Sequence, residues 1–431
     1  MNAGARHVTL RARMLVRFFA AVMLAAAAAA QTPVSLFAQV DEVAGELSKI
    51  TGWSVKRRVP SEMLSKEKFR KYVDSRMKEN ASQQEIHAEE TVLKMFGFVP
   101  QDFDLAKETV DLVSEQAAAY YDYSKKRLFI LDSTQQGAEQ RVALVHELAH
   151  ALADQHHPLG KFLKKGSPDD DAAMARQAVM EGQATWLTWA YMSEHNGGKA
   201  EVAPELIAEL TRSAGADGAD YPVFSNAPLY MKESLVFPYN EGLKFQDAIY
   251  RKLGRAGFDQ VFRRAPSSTQ QILHPRAYLE DEKPLDPDPP EIRDFIGKTE
   301  AGRFRVLMEG SMGEFDHSVL LRQYIDGEQG ARAASHWRGG SFRLYEHKRE
   351  KFPVLTYVSE WDSPESARRF FDLYQRVMKG RWKKMEMEHR DEGKITGSGD
   401  DGRFQLWVSG TKVQSIEGMR ADFHLPPPLL H

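Results

Sequence analysis

The chain of 431 residues contains no cysteine. That excludes disulfides, a thiol nucleophile and a thiol acceptor for a lipid anchor, and it leaves His and carboxylate side chains to hold any zinc. Long apolar runs are scarce too. The longest, Phe18 to Ala30, spans 13 residues, well short of the roughly 20 a membrane helix needs. Basic excess is also missing: 58 Lys and Arg face 61 Asp and Glu. Such a balance argues against nucleic acid or an anionic membrane surface as partner. There are no internal repeats and no low-complexity tracts beyond the N-terminus.

What is present at the N-terminus reads as a secretory signal peptide over residues 1–30. Arg6, Arg11, Arg13 and Arg17 precede the apolar run, which ends in Ala-Ala-Ala before Gln31. Removing it leaves 54 basic against 61 acidic residues, a net charge of −7. The expected location is secreted or periplasmic, with no membrane span. About 400 remaining residues exceed one ordinary core, so two domains are expected. The boundary is placed at 281–298, because residues 281–290 hold four Pro and four acids and cannot form a helix or central strand. Residues 31–280 read as mainly helical; residues 299–431 read as a small α+β unit. In the latter, Ser341–Lys348, Pro353–Trp361, Phe404–Val408 and Val413–Ile416 alternate as strands around a helix from Pro364 to Met378. Its role is not legible, and the basic run Lys379–Lys384 reads as a solvated helix end.

The pentapeptide His146-Glu-Leu-Ala-His150 carries the chemistry. Positions i and i+4 share a helix face, so His146 and His150 can converge on one Zn²⁺, while Glu147 points about 100° away, toward a metal-bound water. Residues 138–157 contain no Gly or Pro, and Val142, Val145, Ala149 and Leu152 form an apolar stripe beside the His face. A catalytic zinc usually has three protein ligands. Glu181 is the leading third candidate: it lies within an apolar segment (Ala178, Val179, Met180, Ala184, Trp186, Leu187) of a helix expected from Asp170 or Asp171 to His195, where a carboxylate is costly to bury unpaired. His156 is the rival, at the third-ligand spacing of the metzincin pattern, but Ala153 replaces the helix-breaking Gly of that pattern. His157 lies two turns past His150, too far to share the ion.

These residues resemble the gluzincin side of the zincin metalloproteases, and more closely a group of secreted bacterial zinc-dependent peptidases. The matching segments are Val145 to His156 and Glu181-Gly-Gln-Ala-Thr185, with Gln116 to Asp122, Phe237-Pro-Tyr239, Gly242, Ser268 to Pro275 and Met312 to Phe315. The resemblance implies a zinc-dependent peptidase acting on a peptide or protein substrate, in an α+β zincin-like domain followed by the C-terminal unit. It also implies a substrate-binding edge strand before the zinc helix, here the hairpin Ala118–Asp122 and Arg127–Leu131. Thr185 stands where thermolysin-like enzymes carry an Asp that orients a zinc His, and Asp154 is a candidate partner for the helix or its ligands. A donor to the developing oxyanion is sought in His274 or, one turn on, Tyr278. Two other readings stay open: a non-catalytic metal-binding interaction module, and a zinc chaperone or sensor using His156 and His157.

Overall fold

The computed structural model describes residues 36–132, 138–166, 169–213 and 221–422. The expected signal peptide lies outside them. Among them, no helix is long and apolar enough to cross a membrane.

The architecture is α+β. A small sheet of β1 (Ser61–Leu64), β2 (Ala119–Asp122) and β3 (Arg127–Leu131) stands among helices in the N-terminal part. Its order is β1-β3-β2, with β1 parallel and β2 antiparallel to β3. The strand expected at an edge, β3, is therefore central. Ser61–Leu64, whose sequence SEML shows no β-branched run, pairs along its far side, and the edge left beside the motif helix is β2.

Residues 304–419 carry the second sheet: β4 (Phe304–Ser311), β5 (Trp337–His347), β6 (Pro353–Trp361), β7 (Met385–Arg390), β8 (Lys394–Gly399), β9 (Gly402–Ser409) and β10 (Lys412–Met419). These seven strands are antiparallel in the order β4-β5-β6-β10-β9-β8-β7. Helix Pro364–Arg381 starts on a Ser363 side-chain cap with Pro at its first turn. It covers one face of the sheet, its Phe370, Tyr374 and Val377 sharing a core with Phe404 and Leu406. A smaller core on the other face gathers Ile292, Phe295, Phe304, Tyr345 and Trp407.

The main core runs without a break from the N-terminal helices into this sheet. Phe96, at the end of helix Gln83–Phe96, stands edge-on to Phe342 and Tyr357, with ring centroids at 5.7 and 5.5 Å. Phe315 packs on Phe237 at 4.6 Å. The proline-rich stretch forms neither helix nor strand, but Leu285 makes a bridge to Gly339 and Ser341 Oγ donates to Pro287 O.

Two long helices set up the site. The motif helix, Ala138–His156, is buried at every residue from Val142 to Asp154. Burial thus extends beyond the apolar stripe seen in sequence to the whole circumference of the helix, His146, Glu147, His150 and Asp154 included. The central helix, Asp170–His195, is capped by the Asp169 side chain accepting from Ala172 N, one residue before the expected cap. Helix Leu229–Leu253 crosses it, with Pro238 inside. The crossing is unusually close: a Cβ on Gly182 would stand 2.0 Å from the Gly242 carbonyl carbon, and one on Gly242 2.2 Å from Ala178 O. Only glycine on both sides permits this approach.

Candidate metal centre

Glu181 sits one residue before that crossing. The packing of glycine on glycine brings its carboxylate onto the face of the motif helix that carries both imidazoles. His146 Nε2, His150 Nε2 and Glu181 Oε2 form a triangle with sides of 3.0, 3.1 and 3.2 Å. All three residues are buried, at 0, 3 and 0 % exposure. Glu147, also fully buried, offers a carboxylate oxygen within 4.8 Å of a ligand nitrogen of each histidine, and this buried group can hold a metal ion.

Ligand atoms on a tetrahedron with bonds of about 2.0–2.1 Å are roughly 3.3 Å apart. The observed triangle has nearly that size. Three acceptor atoms at this separation repel one another unless a proton or a cation lies between them. The electrostatics reflect that tension. Burial pushes the His146 imidazole down to about 4. For Glu181, burial is outweighed by the charge of His150 and the hydrogen bonds of both histidines, which hold the carboxyl down at about 2. For His150, burial is likewise outweighed by Glu181, and its pKa is raised. Three further atoms are buried without a hydrogen-bond partner: His146 Nδ1, Glu147 Oε1 and Glu181 Oε1.

Glu147 is oriented from outside the triangle. Its Oε2 accepts from the backbone N of Tyr121 on β2 at 2.6 Å, leaving Oε1 free. Burial pushes its carboxyl up to about 8, with the Glu181 charge adding to the effect. Tyr121 is tied to the motif helix a second time, its hydroxyl donating to Asp154 Oδ2 at 2.9 Å. Asp154 also accepts from Lys126 Nζ at 2.5 Å and Leu159 N at 3.0 Å. It locks hairpin, helix and the following turn together. Tyr239 stacks obliquely on His146 at 5.9 Å. Sequence reasoning did not pick out Tyr121 or Tyr239 as functional; a backbone N–H contact leaves no side-chain signature, and both Tyr lie in segments noted only for the resemblance.

The other candidates lie elsewhere. His156 stacks on Trp53 at 5.4 Å and its Nε2 faces Ser54 O at 2.8 Å, away from the triangle. His157 pairs with Asp259 at 2.6 Å. His274 pairs with Glu314 at 2.8 Å, and that hydrogen bond raises its pKa. Its neighbour Thr269 bonds Asp171, which is ten residues, or about 15 Å along the helix, from Glu181. The Tyr278 hydroxyl donates to Arg264 O at 2.7 Å under the Arg264 guanidinium.

Residues 303–424 match a family described as "Domain of unknown function (DUF8575)". That span encloses all seven strands of the large sheet and lies outside the metal-site residues. No curated protein and no solved structure matches the chain.

Proposed function

We propose that the chain is a zinc-dependent peptidase of gluzincin type, with His146, His150 and Glu181 holding the ion and Glu147 acting as general base. The observation that carries this reading is the triangle of 3.0–3.2 Å formed by two Nε2 atoms and one carboxylate oxygen. Two imidazoles and a carboxylate, with no sulfur, are the donor set of a hydrolytic zinc site. When bound, zinc supplies a Lewis acid that polarises a carbonyl and brings a water's pKa toward neutrality.

The chain's own groups do the rest. Glu147 Oε1, the oxygen not committed to Tyr121, takes the proton of the attacking water and returns it to the leaving amine nitrogen. Burial raises the pKa of the Glu147 carboxyl, which favours its holding the proton between the two halves of that transfer. Tyr121 holds the other oxygen and so fixes the direction in which the free one points. Zinc content of the purified protein, with cleavage of casein or a peptide library before and after chelation, tests the reading.

The complete burial of the triangle favours one second reading, a metal-binding module without catalysis. Equimolar zinc with no cleavage of any peptide is its signature.

A further inference from the structure

Leu131 N donates to Ala118 O at 2.9 Å, so in the antiparallel alternation of β2 with β3 the backbone groups of residues 119 and 121 turn away from β3, to the open edge. The Tyr121 N–H is therefore a donor that the sheet does not satisfy. Glu147 Oε2 takes it at 2.6 Å. The same tyrosine reaches the motif helix a second time, its hydroxyl donating to Asp154 Oδ2 at 2.9 Å. Seven residues separate Glu147 from Asp154, which on an α-helix places them on one face, two turns and about 10 Å apart along the axis. One strand residue is thus pinned at two points of one helix face, by its backbone and by the far end of its side chain.

Asp154 is well supplied to hold its end. Its side chain is 0 % exposed, and besides the hydroxyl it accepts from Lys126 Nζ at 2.5 Å and Leu159 N at 3.0 Å, with the Arg57 guanidinium 3.8 Å away. The buried carboxylate is therefore compensated. Lys126 closes the hairpin turn with a left-handed φ of +55°, where glycine would be easier for the backbone. What lysine adds at that position is the amine on Asp154. The turn is fixed from its other end by Asp122 Oδ1, which accepts from Ser124 N at 2.9 Å and Lys125 N at 3.0 Å.

We propose that the Tyr121 hydroxyl, held by Asp154, is a positioning group for the general base. It fixes the β2 backbone so that the Tyr121 N–H keeps Glu147 Oε2 and leaves Oε1 as the oxygen that takes the proton. The inference rests on the reading of Glu147 as the base. The two tyrosine bonds run to Glu147 and Asp154 and not to the three ligand atoms, so this device acts on catalysis apart from metal binding.

The test compares the full-length protein with Tyr121→Phe, which deletes one oxygen and leaves Asp154 its Lys126 and Leu159 donors. Zinc affinity, measured by competition with a chelator, should be unchanged. On a peptide substrate kcat should fall about 10- to 100-fold with KM unchanged, the range seen when a supporting residue is lost. Exchange of the amide hydrogen of residue 121, followed at residue resolution, should accelerate about tenfold relative to the amides of β3, which report on the stability of the hairpin as a whole. Asp154→Leu removes the acceptor from the other end of the bond and should accelerate the same amide, so the comparison stands if one variant does not fold. An amide at 121 that speeds up no more than those of β3, an unchanged kcat, or a loss of zinc affinity that matches the loss of kcat overturns the proposal. The exchange measurement needs no turnover: a wild-type protein that cleaves nothing ends the peptidase reading, while residue 121 still decides whether the hydroxyl holds the strand on Glu147.

Discussion

Gly182→Ala adds one methyl group at the crossing that delivers Glu181. The new Cβ would stand 2.0 Å from the Gly242 carbonyl carbon and 2.2 Å from its oxygen. Carbon atoms in contact sit at about 3.5 Å or more, so the two helices must separate by roughly 1.5 Å. Both partners are backbone, and no side chain can swing aside to relieve the clash. Overpacking of this kind costs about 1–3 kcal/mol. The better helix propensity of alanine returns at most about 1 kcal/mol, so destabilisation wins. The larger effect falls on the site. Glu181 is the adjacent residue, and a shift of that size breaks the 3.1–3.2 Å spacing of its carboxylate to the two imidazoles. Zinc affinity, measured by competition with a chelator of known affinity, should fall about 10- to 100-fold, the range seen when a ligand loses its support. Gly45→Ala is the control, because nothing lies within 4 Å of the added carbon and helix Val40–Thr51 surrounds it; it should leave zinc binding alone and raise stability slightly. Wild-type zinc affinity and wild-type melting in Gly182→Ala would refute the reasoning.

Other expectations follow from the same structure. Glu181→Ala should lose zinc to dialysis far more readily than His156→Ala, because His156 lies against Trp53 and Ser54; metal analysis showing the reverse order sinks Glu181 as a ligand. Saturating zinc should raise the melting temperature, and chelation should lower it, because an ion bound only by the folded chain adds RT ln(1 + [L]/Kd) to stability; a melting curve indifferent to zinc contradicts a site formed by folding. Burial holds the pKa of His317 at about 4 against an ordinary value of 6.5, while its Nδ1 lies 2.7 Å from Gly313 O, to which it donates. Its folded pKa is the lower one, so the stabilisation is whole above pH 6.5 and is lost as pH falls toward 4, to the extent of about 3 kcal/mol. His317→Gln should flatten the pH dependence of melting in that window, and an unchanged slope argues against it. Residues 31–280 produced alone should be insoluble or free of zinc, since Phe96 and Phe237 lose the partners Phe342, Tyr357 and Phe315; a soluble, zinc-loaded fragment would show that the two parts fold separately.

Both helices of the centre could be read from sequence because each announces itself locally. The first lacks Gly and Pro from 138 to 157, and the second places a carboxylate inside an apolar run. Helix Leu229–Leu253 carries Pro238 in its interior, and such a residue reads in sequence as a stop. In the large sheet the strands with clear alternation were visible, but β7 (MEMEHR) and β8 (KITGSG) were not. One alternates Met with Glu for only four residues at a sheet edge before ending in His-Arg, and the other carries two Gly in six residues, so neither gives the longer run of apolar alternation that marks a half-buried strand. The central place of β3 depends on pairing with Ser61–Leu64, more than 60 residues away in sequence, and no local pattern encodes it. The same holds for the Tyr121 N–H on Glu147: a backbone donor carries no residue-type signal.

Zinc-loaded wild-type protein and Glu147→Gln, assayed side by side on casein and a peptide library, test the central claim most directly. The amide side chain fits the same space and can still accept from Tyr121 N, but it cannot take a proton from water. The account predicts equimolar zinc in both proteins, cleavage by the wild type and nearly none by Glu147→Gln. Cleavage by Glu147→Gln at the wild-type rate, or none by a wild-type protein that holds its zinc, would contradict it.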